Sequence, residues 1–279
     1  MTILQAILLG ILQGLTEFLP ISSTAHLTLA GKYLGLIDPA HPEAWTAFIA
    51  TIQLGTMLAV IFYFANEIRE IASAFTSENF TKRKQPFKIQ SQNSKMGWYV
   101  ILGTIPVVIV GLLLSKVIEG GLTKSLPVIA TSLIVLGLLL ALAEKTAKFT
   151  KKYNSIKLKD ALLIGLAQCL ALIPGASRSG TTITAGLFLG LERESAARFS
   201  FLLSIPAVFA SGIYEFYKTR HFLMANSGLA LVVATVVSAL SGYIAIAFLL
   251  RYLRTRTSYI FVIYRILLGV AILGAFILL

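Results

Sequence analysis

Residues 13–26, "QGLTEFLPISSTAH", gather Gln13, Glu17, Ser22, Ser23, Thr24 and His26 in a stretch otherwise made of Leu, Ile, Ala and Gly. On an α-helix Gln13 and Glu17 are four apart and project from one face. Pro20 ends that helix, and Ser22 or Ser23 can start the next one as its N-cap. Ser23 and His26 are then three apart, a spacing that permits an imidazole beside a hydroxyl, the minimum that a nucleophile and its base require. Such neighbours are common in any helix. The simpler reading is that Ser23 caps the helix and His26 satisfies a nearby carbonyl.

A second cluster, "PGASRSGTTITAG" at 174–186, repeats the arrangement with different chemistry. After Pro174 and Gly175 a helix start offers unpaired N–H groups and a dipole that favours an anion, with the hydroxyls of Ser177, Ser179, Thr181 and Thr182 and the guanidinium of Arg178 around it. A guanidinium is a planar fork suited to phosphate oxygens. Arginine at membrane depth costs at least a few kcal/mol, which makes it a functional candidate; the alternative is an Arg178 that pairs with Glu17 and only joins two parts of the chain. Glu17 needs a partner in its turn: Arg178, a divalent cation, or both. An oxygen-rich set of this kind suits Mg²⁺ or Ca²⁺, with Glu17 and Gln13 as ligands, and no Cys/His set supports zinc. An anion cradle, a guanidinium, a metal-capable carboxylate and a hydroxyl are the parts of a phosphoryl-transfer site. Surrounded by apolar sequence, such a site calls for a head group carried on an acyl or isoprenoid tail.

The elements that must position these residues follow from composition. The 279 residues are 57% hydrophobic and 13% charged, the balance of a chain that crosses a bilayer many times. Six runs are long and apolar enough to span: about 45–65, 97–116, 126–143, 198–217, 227–250 and 258–278. Two more, 2–30 and 160–190, are broken by the polar clusters and are either kinked spans or re-entrant hairpins. If both are hairpins, segments 66–97, 144–159, 191–198 and 251–257 share one face and carry 17 Lys and Arg against 5 in the remaining loops; if both are single spans, the division is 14 to 8. The positive-inside rule therefore favours hairpins, with both termini outside. The net charge of +12 lies in these short segments and points to an anionic membrane face rather than to nucleic acid. The first apolar run lacks the flanks of a cleaved leader, so Met1 is read as the mature start. Cys169, the single cysteine, reads as a packed thiol. Arg265, inside the last span, either snorkels or faces the bundle.

Residues 161 onward echo residues 6 onward: Gly10 falls on Gly165, Gln13 on Gln168 and, after a one-residue slip, Pro20 on Pro174. Glu43 and Phe48 then fall on Glu194 and Phe199, and Thr104 and Gly111 on Thr235 and Gly242. The expected architecture is an all-α polytopic membrane protein with two inverted-topology repeats, 1–145 and 158–279, joined by a basic cytoplasmic linker at 146–157, itself an ordinary solvated loop. Each repeat holds one re-entrant helical hairpin and three transmembrane helices. The inversion brings the two polar tips together near the midplane.

Both polar motifs resemble those of the bacterial undecaprenyl-pyrophosphate phosphatases, the family also known for bacitracin resistance. "QGLTEFLPISSTAH" is similar to its Glu/Gln-x-x-x-Glu segment and "PGASRSGTTITAG" to its Pro-Gly-x-Ser-Arg-Ser-x-x-Thr motif, with "ESAARFSFLLSIP" at 194–206 a further likeness. The resemblance covers nearly the whole chain. It implies a plasma-membrane enzyme that hydrolyses undecaprenyl pyrophosphate to undecaprenyl phosphate and inorganic phosphate at a site open to the outer face, with a divalent cation, recycling the carrier for cell-wall polymers. Carried over, Ser23 is the nucleophile or its near neighbour, with Ser22 and Thr24 beside it. His26 becomes a base or acid, Glu17 and Gln13 ligands of metal or water, and Arg178 with Gly175, Ser177, Ser179, Thr181 and Thr182 the pyrophosphate holders. Gln13 departs from the many members with Glu at this position; an amide is a weaker ligand and no base. Histidine-nucleophile lipid phosphatases are excluded, because the next histidine after Arg178 is His221. Broken helices meeting at the midplane are also how secondary transporters and flippases build their sites, which is the competing class. The sequence leaves open whether Ser23, His26 or water attacks phosphorus, and whether the protein is a monomer or a homodimer.

Overall fold

The computed structural model describes residues 1–38, 42–81, 84–115 and 125–278, without the side chains of 42–43 and 219–227. Residues 116–124 and the side chains of Glu43 and of 219–226, which enter the count and the repeat alignment above, lie outside the described residues, whereas the backbone of 218–226, expected as a loop, is part of a helical segment. Among those described, the chain is helical, with one isolated bridge between Lys151 and Leu191.

The first apolar run is two helices, α1 (Ile3–Phe18) and α2 (Ser23–Tyr33). Thr2 opens α1 through a capping box with Gln5, and Leu19, extended ahead of Pro20, closes it. Then come α3 (Pro42–Tyr63), α4 (Ala65–Phe80), α5 (Gln92–Leu113) and α6 (Leu126–Thr146). The second broken run gives α7 (Leu158–Gln168), a 3₁₀ turn at Cys169–Leu172 and α8 (Arg178–Phe188). The helical segment α9 (Arg193–Leu253) and α10 (Tyr259–Leu278) complete the chain. Among the described residues, six stretches are long and apolar enough to cross a membrane: Ala44–Tyr63, Gln92–Leu113, Leu126–Thr146, Arg193–Lys218, Gly228–Leu253 and Tyr259–Leu278. These are the six runs expected. α5 starts earlier than its hydropathy suggests, because Ser91 caps a polar first turn.

At about 1.5 Å per residue a straight α9 would separate its ends by roughly 90 Å. Yet Arg254 Nη2 lies 2.8 Å from Glu194 Oε1, so the two arms of α9 run antiparallel, side by side. That pair belongs to a charged face. Arg193 pairs with Glu144 and stacks 3.9 Å from the Phe149 ring centre, Arg198 Nη2 meets Glu67 at 2.7 Å, and Lys151 Nζ meets Asp160 at 2.9 Å. Gln92 Nε2 donates to Ile156 O at 3.0 Å, and the Ser258 amide donates to Glu144 at 3.3 Å. These contacts tie 66–97, 144–159, 191–198 and 251–257 to one another, the four segments that share a face in the two-hairpin reading.

Two features of this face were not expected. Segment 66–97 carries α4, whose Phe75 packs edge-on against Trp98 at 5.1 Å between ring centres, while Asn79 bonds Ser94, Gln90 and Trp98. The linker, though largely exposed, is packed against the bundle at two points. Ile156 is buried and the Tyr153 ring lies under Arg198, with burial and then Glu67 raising its phenol above the usual range.

Helices approach closely where glycines face each other. A Cβ on Gly165 of α7 would stand 2.1 Å from the carbonyl oxygen of Gly103 on α5, a backbone atom that moves only if the helices separate. Gly165→Val is expected to lower stability by about 1–3 kcal/mol, read as a drop in unfolding temperature in detergent, whereas the same substitution at Gly274, which has open space, leaves it unchanged.

Candidate active site

The two breaks share one backbone device. Ser22 (φ 75°) caps α2 and accepts from the Ala25 amide; Ser177 (φ 68°) caps α8 and accepts from the Gly180 amide. Each caps a helix of 11 residues that ends on a leucine followed by a left-handed glycine, Gly35 or Gly190. Ser22 to Ser177 and Gly35 to Gly190 keep the same spacing as Gln13 to Gln168, so the slip placed at Pro20 is absent and Gly175, not Pro174, stands opposite Pro20. Gly175 takes φ 89°, and a Cβ there would sit 2.5 Å from the Ile129 carbonyl.

Glu17, 6% exposed, is the hub between the breaks. Its Oε2 accepts from Ser23 Oγ at 2.6 Å and from Gln13 Nε2 at 2.9 Å, and its Oε1 accepts from Arg178 Nη2 at 2.8 Å. Ser179 Oγ donates to the carbonyls of Glu17 and Leu19 at 3.2 and 3.1 Å, stitching α8 to the end of α1.

Arg265 settles its own ambiguity: it does not snorkel. Its side chain is 0% exposed and donates only to backbone carbonyls, Pro20 at 3.2 Å in the first break, Gly175 at 3.4 Å and Ala176 at 2.9 Å in the second, and Ser132 and Leu133 of α6 at 3.4 and 3.2 Å. One guanidinium thus clamps both breaks. Nothing in the sequence near Arg265 pairs it with either motif; its place inside an apolar span was the only signal.

His26 does not meet Ser23. Its Nδ1 lies 2.7 Å from Ser22 O, and because a carbonyl only accepts, Nδ1 carries the proton. A neutral Nε2 then accepts from the Tyr264 hydroxyl at 2.6 Å, with the two rings stacked 5.6 Å apart. The spacing of three brought no hydroxyl–imidazole bond because both ring nitrogens are already engaged. His26 fixes the strained Ser22 turn, and Tyr264 is a partner that sequence reasoning missed. Thr181 and Thr182 likewise donate to Arg178 O at 3.0 and 2.8 Å, and the Thr182 hydroxyl also meets that of Ser200 at 2.6 Å; neither threonine lines the cavity described next.

A cavity of ≈ 530 Å³ opens at the breaks. At the breaks it is lined by Glu17, Ser22, Ser23, Thr24, Gln168, Gly175, Ser177 and Arg178; the rest is largely apolar, including Val107, Val108 and Leu112 of α5, Leu172 and Ile173, and Ala207 and Val208 of α9, with Thr46, Gln53, Ser115, Ser211, Tyr214 and Glu215 as its polar members. Two helix N-termini face it, leaving first-turn N–H groups without intrahelical acceptors and adding two dipoles that favour an anion. Gln13 Oε1, both amide atoms of Gln168 and Arg178 Nη1 are buried without a partner, an arrangement that suits a polar ligand. The cavity meets the C-terminal half of α5 and the Tyr214 end of the first α9 arm, the ends remote from the charged face.

Fold and site together define a class: a polytopic helical membrane protein with a buried ion pair and a polar-lined cavity between two broken helices. Residues 6–271 match the family model described as bacitracin resistance protein BacA. The chain is 60% identical over 273 residues to an undecaprenyl-diphosphatase of Syntrophobacter fumaroxidans, covering 98% of this chain and 97% of the relative. It is 52% identical over 283 residues to that of Chloroherpeton thalassium (98% and 96% covered) and 50% over 276 residues to that of Myxococcus xanthus (98% and 89%). The chain belongs to the bacitracin resistance protein BacA family.

Removing the Arg265 clamp takes away the donor at the Pro20, Gly175 and Ala176 carbonyls of the two breaks, each costing about 1–3 kcal/mol if left unmet. Arg265→Met is expected to lower the unfolding temperature in detergent more than Ser23→Ala does, with Arg265→Lys, a point charge without the fork, falling between them.

Proposed function

We propose that this protein is an undecaprenyl-diphosphatase, hydrolysing undecaprenyl pyrophosphate to undecaprenyl phosphate and inorganic phosphate, and that it thereby recycles the wall-polymer carrier and confers bacitracin resistance. The observation that carries the reading is the meeting of Ser23, Glu17 and Arg178 at two helix N-termini, in a cavity whose remaining lining is largely apolar. The names of the relatives point the same way.

The two broken runs are read as re-entrant hairpins of two inverted repeats, with both termini outside. Support comes from the shared backbone device of the breaks and from the four basic segments joined on one face, which would be cytoplasmic. The cavity then opens to the outer face, where its apolar wall receives the first isoprenoid units.

In the proposed reaction Ser23 Oγ attacks the terminal phosphorus, its proton passes to Glu17 Oε2 at 2.6 Å, and the bond from phosphorus to the bridging oxygen breaks, releasing undecaprenyl phosphate. Arg178 and the first-turn N–H groups of α2 and α8 hold the charge that builds on the phosphoryl oxygens. Glu17 passes that proton to the departing undecaprenyl phosphate; water, giving its proton to the freed carboxylate, then hydrolyses the phosphoserine, and Ser23 Oγ takes the proton back as phosphate leaves. His26 acts through the turn that it holds.

A divalent cation fits here only jointly with substrate. The donors are hard oxygens, yet Glu17 already faces Arg178, so the diphosphate must supply most of the ligands; Glu215 is a second carboxylate of the cavity lining, whereas Gln13 Oε1, buried and without a partner, is not part of that lining. When bound, Mg²⁺ or Ca²⁺ supplies charge neutralisation at the phosphoryl group.

Purified protein in detergent, with no membrane gradient, is expected to release phosphate from undecaprenyl pyrophosphate and to lose that activity with chelator; a transporter would release none. Ser23→Ala, Glu17→Gln and Arg178→Ala are each expected to lose turnover by about a hundredfold or more, and His26→Ala by less. Near-normal turnover in Arg178→Ala would remove the core of the reading.

A further inference from the structure

We propose that Gln168 is a substrate-contacting residue whose side-chain amide hydrogen-bonds the diphosphate in the cavity, an assignment that rests on the diphosphatase reading above.

Gln168 is the last residue of α7, 1% exposed, and lines the cavity. Neither its Nε2 nor its Oε1 has a hydrogen-bond partner, and among the described residues it is the only buried side chain with two such atoms. A buried amide left unpaired is costly, and proteins keep one where a ligand completes it. Arg178, whose Nη1 is also buried without a partner, lines the same cavity, so both residues carry unused donors beside one ligand space.

The sequence explains why this amide is free when its counterpart is not. Gln13 holds the same position before the first break, and its Nε2 is taken by Glu17, four residues on. Four residues after Gln168 stands Leu172, which accepts nothing. The second amide is therefore left for what enters the cavity. Its chemistry suits a diphosphate: two N–H donors for phosphoryl oxygens and an acceptor for a protonated one, added without the desolvation cost of a second cation.

The test is phosphate release from undecaprenyl pyrophosphate, with unfolding temperature in detergent measured alongside, for wild type, Gln168→Met and Gln168→Glu. Methionine removes both unpartnered atoms at similar volume, so Gln168→Met is expected to unfold at or above the wild-type temperature while its KM rises about ten- to a hundredfold, the range for a hydrogen bond to a charged group, and kcat stays within about threefold. Gln168→Glu, nearly isosteric but anionic, is expected to raise KM further. An unchanged KM in Gln168→Met overturns the assignment, as does a lowered unfolding temperature with KM intact, the mark of a structural amide, or an effect confined to kcat. Absence of phosphate release by the wild type fails the diphosphatase reading itself, a result distinct from these and fatal to both.

Discussion

The ion pair between Glu17 and Arg178 is the constraint on which the rest of this structure depends. Both side chains are largely buried, and their heavy atoms meet at 2.8 Å across 161 positions of sequence. Removing one partner of such a pair typically costs about 3–5 kcal/mol, because the other charge is stranded away from water. Neither charge can sit at its own break alone. The chain must bring the two breaks together, and doing so creates an electrically balanced centre that still holds unused donors toward the cavity.

That centre needs a frame that does not itself compete for the carboxylate. Arg265 provides it by addressing only carbonyls: it satisfies acceptors that the broken helices leave open at Pro20, Gly175 and Ala176 and ties them to α6. The hydroxyls are divided in the same way. Ser22 and Ser177 close the first turns of α2 and α8, Ser179 and Thr182 bind neighbouring elements, and Ser23 is left on Glu17 at the cavity wall. A polar motif in an apolar chain is thus mostly scaffold. Ser23 is the hydroxyl engaged by the acidic side chain.

Much of this was legible in the sequence, for reasons tied to particular residues. The six membrane-length stretches follow from hydropathy, and the breaks from Pro20 and from Pro174–Gly175. The meeting of Glu17 with Arg178 follows from the cost of leaving either charge alone in an apolar chain. What could not be read depended on contacts between distant elements. Tyr264 claims His26 from the last helix, so a local Ser-x-x-His spacing gave the wrong neighbour. The ordered linker depends on Arg198 and Glu67, far from it in sequence, and Thr182 turns to Ser200. Spacing along one helix reports which side chains share a face, but not which other helix covers it.

The resemblance between the two halves gains meaning from where it stops. Both breaks use a serine cap in a left-handed turn, an 11-residue helix and a terminal glycine, so the backbone is nearly the same device twice. The side chains on that device differ. Ser23 occupies the first helical position after its cap where Arg178 occupies the other, and Glu17 has Leu172 as its counterpart. Two identical tips would have set arginine against arginine or carboxylate against carboxylate, each pair repelling in a low-dielectric interior. Placing the hydroxyl and its acceptor on one tip and the guanidinium on the other makes the tips attract. It also gives the cavity two chemically different sides, a hydroxyl with a carboxylate on one and a guanidinium on the other.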